Sequence, residues 1–141
     1  MFKKILVGYD GSKGGRLALA QSINLAKGSG ASLTALWVRE PLPRYSDLPG
    51  EPEDQVEAGD YYYQERVKEV EDLSSEQGLL VTCDTRRGHP AKSIVAYAID
   101  GSYDLIVIGH SDHSELWGRL LGDIADRVCD HAHCSVLVVK G

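Results

Sequence analysis

Apolar residues come in two alternating patterns along the chain. Short unbroken runs read as strands buried on both faces. They are Lys4-Ile5-Leu6-Val7-Gly8, Ser32 to Val38, Leu79-Leu80-Val81-Thr82-Cys83, Asp104 to Ile108 and Ser135 to Val139. Between them the apolar positions recur at helical spacing. Leu19, Ile23 and Ala26 mark one helix face, which Asp10-Gly11-Ser12 opens with a turn and an N-cap and Gly28 is placed to stop. Tyr63, Val67, Val70 and Leu73 mark a second helix ending near Gly78. Pro90 suits a first helical position, with Ile94, Tyr97 and Ala98 facing inward. A last helix is expected from about Asp123 to Asp130.

Strand and helix thus alternate through five strands. That predicts an α/β fold, a doubly wound five-stranded parallel sheet with helices on both faces. Right-handed crossovers leave few strand orders. In the order 3-2-1-4-5 the direction reverses between strands 1 and 4. No repeat or linker interrupts the pattern, so residues 1–141 are expected to form a single domain.

Charge changes this picture at one place. The net charge is −6, and residues 40–60 hold seven acids against the lone Arg44, which accounts for the whole excess. With Pro41, Pro43, Pro49 and Pro52, residues 39–56 read as a long loop of the kind that covers a site. There is no basic stripe, so nucleic acid is disfavoured as a partner. No apolar run reaches the roughly 18 residues of a membrane span, and Met1-Phe2-Lys3-Lys4 leads straight into a strand. The expected location is cytoplasmic. The three cysteines, Cys83, Cys129 and Cys134, form no Cys-x-x-Cys pair and are expected as buried, reduced thiols.

In doubly wound folds ligands bind beyond the carboxyl ends of the strands, where the order reverses. The loops meeting there are Gly8 to Ser12 and Gly109 to Asp123, and both are glycine-rich. Glycines make tight strand-to-helix turns in any protein of this type. Two such loops together favour a binding site.

The ordered set of segments resembles the universal stress protein family over almost the whole chain. Lys3-Lys4-Ile5-Leu6-Val7 with Asp10-Gly11-Ser12 resembles its opening strand and turn. Gly88-His89-Pro90-Ala91 is similar to its Gly-x-Pro-Ala helix entry, and Asp104 to Gly109 to its fourth strand. Arg127, His131, Ala132 and Cys134, leading into Ser135 to Val139, resemble its closing segment.

The resemblance implies a regulatory or binding protein with a site for ATP or AMP at the strand 1/strand 4 switch point. The nucleotide-binding branch carries Gly-x2-Gly-x9-Gly-[Ser/Thr] after strand 4. By position its first and third glycines fall on Gly109 and Gly122. Asp112 stands at the second glycine and Asp123 at the hydroxyl residue. A carboxylate only accepts hydrogen bonds and repels phosphate, so the site reads as degenerate. Asp123 has a bland reading as a helix N-cap. In another reading Asp112 and Asp123 hold Mg²⁺ that bridges to phosphate. The resemblance places Asp10 near the adenosine; a turn residue bonded to its own backbone is the plain alternative. Val38 lines an adenine pocket in one reading and is an ordinary core valine in the other.

A branch without the motif is held not to bind ATP, and a non-binding dimeric stress protein is the first alternative. His110 and Trp117 are loosely similar to that branch. A slow ATPase is the second, but no motif supplies a base, and no catalytic residue is assigned. A phospho-receiver lacks its paired acids after strand 1, and a flavodoxin lacks its hydroxyl-rich loop. Cys129-x-His131-x-His133-Cys134 has zinc-type ligands, but it runs across a helix end into a strand, so a structural role is expected and no metal site assigned. Strand 5 is apolar and expected at a sheet edge. That predicts a homodimer through strand 5, which the resemblance also implies.

Overall fold

The computed structural model describes residues 1–40, 52–110 and 119–141, with the backbone alone for 52–58 and 119–123. In chain order the elements are β1 (Lys4–Gly8), α1 (Lys13–Ser29), β2 (Ser32–Arg39), α2 (Pro52–Glu76), β3 (Thr82–Arg87), α3 (Pro90–Asp100), β4 (Leu105–Gly109), α4 (Arg119–His131) and β5 (Ser135–Val139). All strand pairs are parallel, and the order is β3-β2-β1-β4-β5, as the alternation predicts.

The sheet separates two cores. Ile5, Val7, Leu33, Ala35, Leu105 and Val107 pack with Leu19 and Ile23 of α1 and Val70 of α2. On the other face Leu6, Leu36, Ile106 and Ile108 meet Ala91, Ile94 and Ala98 of α3 and Ala125 and Val128 of α4. Alternate residues of β1, β2 and β4 therefore serve opposite cores. This is why these strands read as unbroken apolar runs and not as an apolar–polar alternation.

Several boundaries differ from the sequence expectation. Helix α1 runs one residue past Gly28 and is closed by Gly30, which adopts the left-handed conformation at φ 69°. Helix α2 begins at Pro52, well inside the stretch expected as loop; residues 41–51 lie outside the described residues. Strand β3 starts at Thr82 and not at Leu79. Gly78 at φ 71° turns the chain, Leu79 and Val81 pack on the α1/α2 core, and Leu80 is 96% exposed. The strand itself reads Thr-Cys-Asp-Thr-Arg-Arg. It lies at the sheet edge, where polar residues can face water and discourage further pairing.

The cysteine expectation also needs correction. Cys83 and Cys134 are half-buried, whereas Cys129 is exposed; all three are free. Burial, with Glu71 nearby, pushes the Cys83 thiol up to about 11, so it stays protonated and unreactive at neutral pH. Among the described residues no helix is long and apolar enough to cross a membrane.

Candidate functional site

The carboxyl ends of β1 and β4 meet at the reversal of strand order. Strand β1 is paired with β2 on one side and β4 on the other, and just past its end the Tyr9 N–H still donates to the Leu36 carbonyl of β2 at 2.9 Å. Asp10 turns the chain. Its carboxylate accepts from the Ser12 backbone N–H at 2.9 Å, the side-chain-to-backbone turn that aspartate favours. Gly11 follows at φ 81°. Ser12 then caps α1, its hydroxyl accepting from the Gly15 N–H at 3.1 Å.

The first turn of α1 lies hard against the end of β4. A Cβ on Gly14 would come within 2.6 Å of the His110 carbonyl oxygen, and one on Gly109 would collide with the Gly14 carbonyl. Only two facing glycines allow this approach. Gly109 pairs with Val139 of β5, and the His110 N–H donates to the Val139 carbonyl at 2.8 Å. The loop after β4 is thereby launched from a fixed point beside the Asp10 turn.

Helix α2 holds the turn from the other side. Tyr9, 3% exposed, donates its hydroxyl proton to Glu69 at 2.6 Å. Glu69 in turn pairs with Arg66 at 3.0 Å, and the Arg66 guanidinium donates to the Asp10 carbonyl at 3.4 Å. A side chain on Gly11 would overlap that guanidinium. Next to this network Trp37 stacks on Tyr63, with ring centroids 6.0 Å apart and planes 7° from parallel. Arg39 lies over Trp37 and pairs with Asp60 at 2.9 Å.

Burial first, and then the Glu69 hydrogen bond, push the Tyr9 phenol up to about 12 from 10.0. The fold therefore favours protonated Tyr9, and this stabilisation is complete below pH 10 and lost as pH rises through about 12. Tyr9→Phe should cost roughly 1–2 kcal/mol near neutrality, the value of a hydrogen bond to a charged acceptor less what Arg66 retains. Urea unfolding near neutral pH and again above pH 10 checks both points: the gap between the two proteins should narrow only as pH rises from 10 towards about 12.

The expected site residues fare unequally. Asp10 and Gly109 are brought to the same crevice. The Asp10 turn geometry is that of the plain reading, and it leaves the carboxylate exposed there. Val38 stands at the same end of the sheet, with its side chain partly buried against the α3/α4 core. Asp112 lies outside the described residues, as does Trp117. Gly122 and Asp123 fall within α4, which starts at Arg119, so Asp123 is not its N-cap. The helix begins a turn earlier than the apolar pattern indicates. Tyr9, Trp37, Tyr63, Arg66 and Glu69 were missed by sequence reasoning. The signal for two of them was an Arg–Glu pair at i, i+3 beside the apolar stripe of α2. Of the three consecutive tyrosines, Tyr63 turns to the sheet, while Tyr61 and Tyr62 are exposed and meet edge to face at 5.8 Å.

Known proteins place this architecture. Residues 1–140 match the model of the Universal stress protein family. Universal stress protein MJ0531 of Methanocaldococcus jannaschii is 36% identical over 99% of this chain and 83% of its own. Universal stress protein YxiE of Bacillus subtilis is 32% identical over 99% of this chain and all of its own. Among solved structures, a universal stress protein in complex with cAMP superimposes with a TM-score of 0.79 at 23% identity, covering 98% of this chain and 97% of the other. One from Archaeoglobus fulgidus in complex with dAMP gives 0.68 at 20% identity, covering 99% and 98%. A family match from end to end, two relatives above 30% identity and the β3-β2-β1-β4-β5 sheet agree, and the chain belongs to the universal stress protein family.

Proposed function

We propose that this protein is a regulatory, nucleotide-responsive member of its family, with an adenine-nucleotide site in the β1/β4 crevice and a weakened grip on phosphate. The observation that carries the reading is the contact of Gly14 with Gly109, which brings the Asp10 turn and the root of the β4 loop together. Gly109 and Gly122 keep the family spacing, and structural neighbours hold cAMP and dAMP. Asp10, Val38, Gly109, Asp112, Gly122 and Asp123 are the residues assigned to the site. Val38 contributes through its backbone, its side chain being partly buried against the α3/α4 core. Asp112 and Asp123 put two carboxylates where the motif has glycine and a hydroxyl, which disfavours triphosphate over monophosphate. Mg²⁺ between carboxylate and phosphate would relieve that repulsion. Mass spectrometry of ligand released from gently purified protein tests the reading. An adenine nucleotide supports it; protein that carries none and fails to bind AMP or ATP in calorimetry, with or without Mg²⁺, refutes it.

The protein acts as a homodimer built through β5 in this reading. Strand β5 is a sheet edge reading Ser-Val-Leu-Val-Val, and Leu137 is 37% exposed. An apolar edge of this kind favours pairing, and a two-fold axis closes it. Sedimentation at micromolar concentration should show a dimer, and Leu137→Lys should shift it to monomer. A wild-type protein that sediments only as monomer contradicts the assignment.

A further inference from the structure

A groove beside the β3 edge of the sheet takes none of its lining residues from the nucleotide reading, although its Arg86 is in register with Val38. Helix α3 packs on β2 and leaves the neighbouring β3 largely uncovered on that face. The residues of β3 in register with Leu36 and Val38, both of which point to the α3/α4 core, are Asp84 and Arg86. Between this strand and α3 runs the groove, of about 560 Å³, within the range of about 300–1,000 Å³ typical of small-molecule sites.

Its floor is a tyrosine pair capped by a cation at each end. Tyr97 and Tyr103 have ring centroids 5.7 Å apart. The Lys4 ammonium lies 4.5 Å from the Tyr103 centroid, and the Arg86 guanidinium 4.9 Å from that of Tyr97. Both rings are anchored. The Tyr103 hydroxyl donates to Thr34 at 2.9 Å, and that of Tyr97 donates to Asp84 at 2.8 Å. Arg86 also pairs with Asp84 at 3.0 Å. The cations are thus held by ring faces and hydrogen bonds instead of sweeping freely through solvent. Arg87 lines the same groove, and its side chain has no ion-pair or hydrogen-bond partner among the described residues.

An edge strand needs polar residues only to stay soluble, and that accounts for the arginines alone. It does not account for two anchored rings that fix a cation at either end of an open groove. Asp100 is the acid that lines the groove, and it is exposed; Asp84 is not part of the lining, and its charge is answered by Arg86 and Tyr97. Lys4 at one end and Arg87 at the other remain to meet charge from outside, in a protein that is otherwise acidic.

We propose that this groove binds an elongated small molecule with an anionic group, phosphate or carboxylate, at each end and a spacer lying along Tyr97 and Tyr103. One end group meets Lys4, and the other meets Arg86 and Arg87. Recognition at two ends separates this ligand from simple monoanions, whose attraction to a lone surface cation is largely screened by salt.

The test uses the full chain, with two anions charged at both ends as probes, the polyanion tripolyphosphate and the dianion adipate, and acetate as the short monoanion. Backbone NMR titration reports where each binds. At least one of the two-ended anions should saturate, with shifts at Arg86, Arg87 and Gly101 and none at Gly109. Saturation by only one of them identifies the end group. Arg87→Gln should weaken that binding by roughly fivefold or more, about 1 kcal/mol. Because the Arg87 side chain has no ion-pair or hydrogen-bond partner among the described residues, the variant should keep the wild-type spectrum elsewhere. Lys27→Gln, an equal loss of charge at an exposed position of α1, should change nothing. Failure of both two-ended anions to bind overturns the proposal. So do acetate binding as tight as theirs, equal losses in the two variants, or shifts centred on Gly109. None of these outcomes bears on whether AMP occupies the β1/β4 crevice.

Discussion

Replacing Gly109 with alanine should lower the unfolding free energy by about 1–3 kcal/mol, the usual cost of forcing atoms into a filled space. The added methyl would collide with the Gly14 carbonyl, which belongs to the backbone of α1 and cannot rotate away. Either α1 tilts off the sheet or β4 slides back, and both movements separate the Asp10 turn from the root of the β4 loop. Nucleotide affinity should therefore fall along with stability. Gly28→Ala supplies the opposite sign. That glycine is inside α1, and nothing lies within 4 Å of the space its Cβ would fill. Alanine there should stabilise by about 0.5–1 kcal/mol through helix propensity. Equilibrium urea unfolding of both variants settles the comparison. Equal effects would mean that the close approach of α1 to β4 is not tight.

Removal of both carboxylates from the β4 loop, Asp112→Gly with Asp123→Ser, should strengthen ATP binding by roughly tenfold or more, about 1.4 kcal/mol. Two like unit charges about 4 Å apart repel by about 1 kcal/mol in water and about 4 kcal/mol at an effective dielectric near 20. The gain for AMP should be smaller, because one phosphate brings less charge to the loop. Asp123 lies inside α4 beyond its first turn, so the change to serine removes no cap, and the two residues have similar helix propensities. Folding should change little. Calorimetric titration with and without Mg²⁺ is the measurement. Tight metal-free ATP binding by the wild type, or no gain in the double variant, would sink the electrostatic argument.

What was legible in the sequence follows from how each element is buried. β1, β2 and β4 are covered on both sides, so Ile5-Leu6-Val7 and Leu105 to Ile108 announce themselves as runs. β3 has a partner only on one edge and little helix cover on one face. Its residues can be polar, and the apolar approach Leu79-Leu80-Val81 drew the assignment three residues too early. The start of α2 was masked by prolines and acids that suggested a loop. Yet Pro52 followed by Glu53 and Asp54 is itself a helix-start signal, since proline fits the first position and acids complement the dipole. In the site, Asp10 and Gly109 were legible because turns and close approaches need particular residue types. The Tyr9–Glu69–Arg66 chain was not, because it joins β1 to a helix about 60 residues away (|i−j| of 60), and nothing local in Tyr9 points to Glu69.

The two edges of the sheet are chemically unlike. One ends in Val-Leu-Val-Val and the other in Asp-Thr-Arg-Arg. If two copies join along the apolar margin, each consumes the margin of the other. The doubled sheet then presents arginine-bearing strands at both outer limits, which resist any third copy. In such a pair growth would stop at two. A parallel sheet whose margins were both apolar could add copies without end, and the charged border of β3 would then separate a finite particle from a fibre.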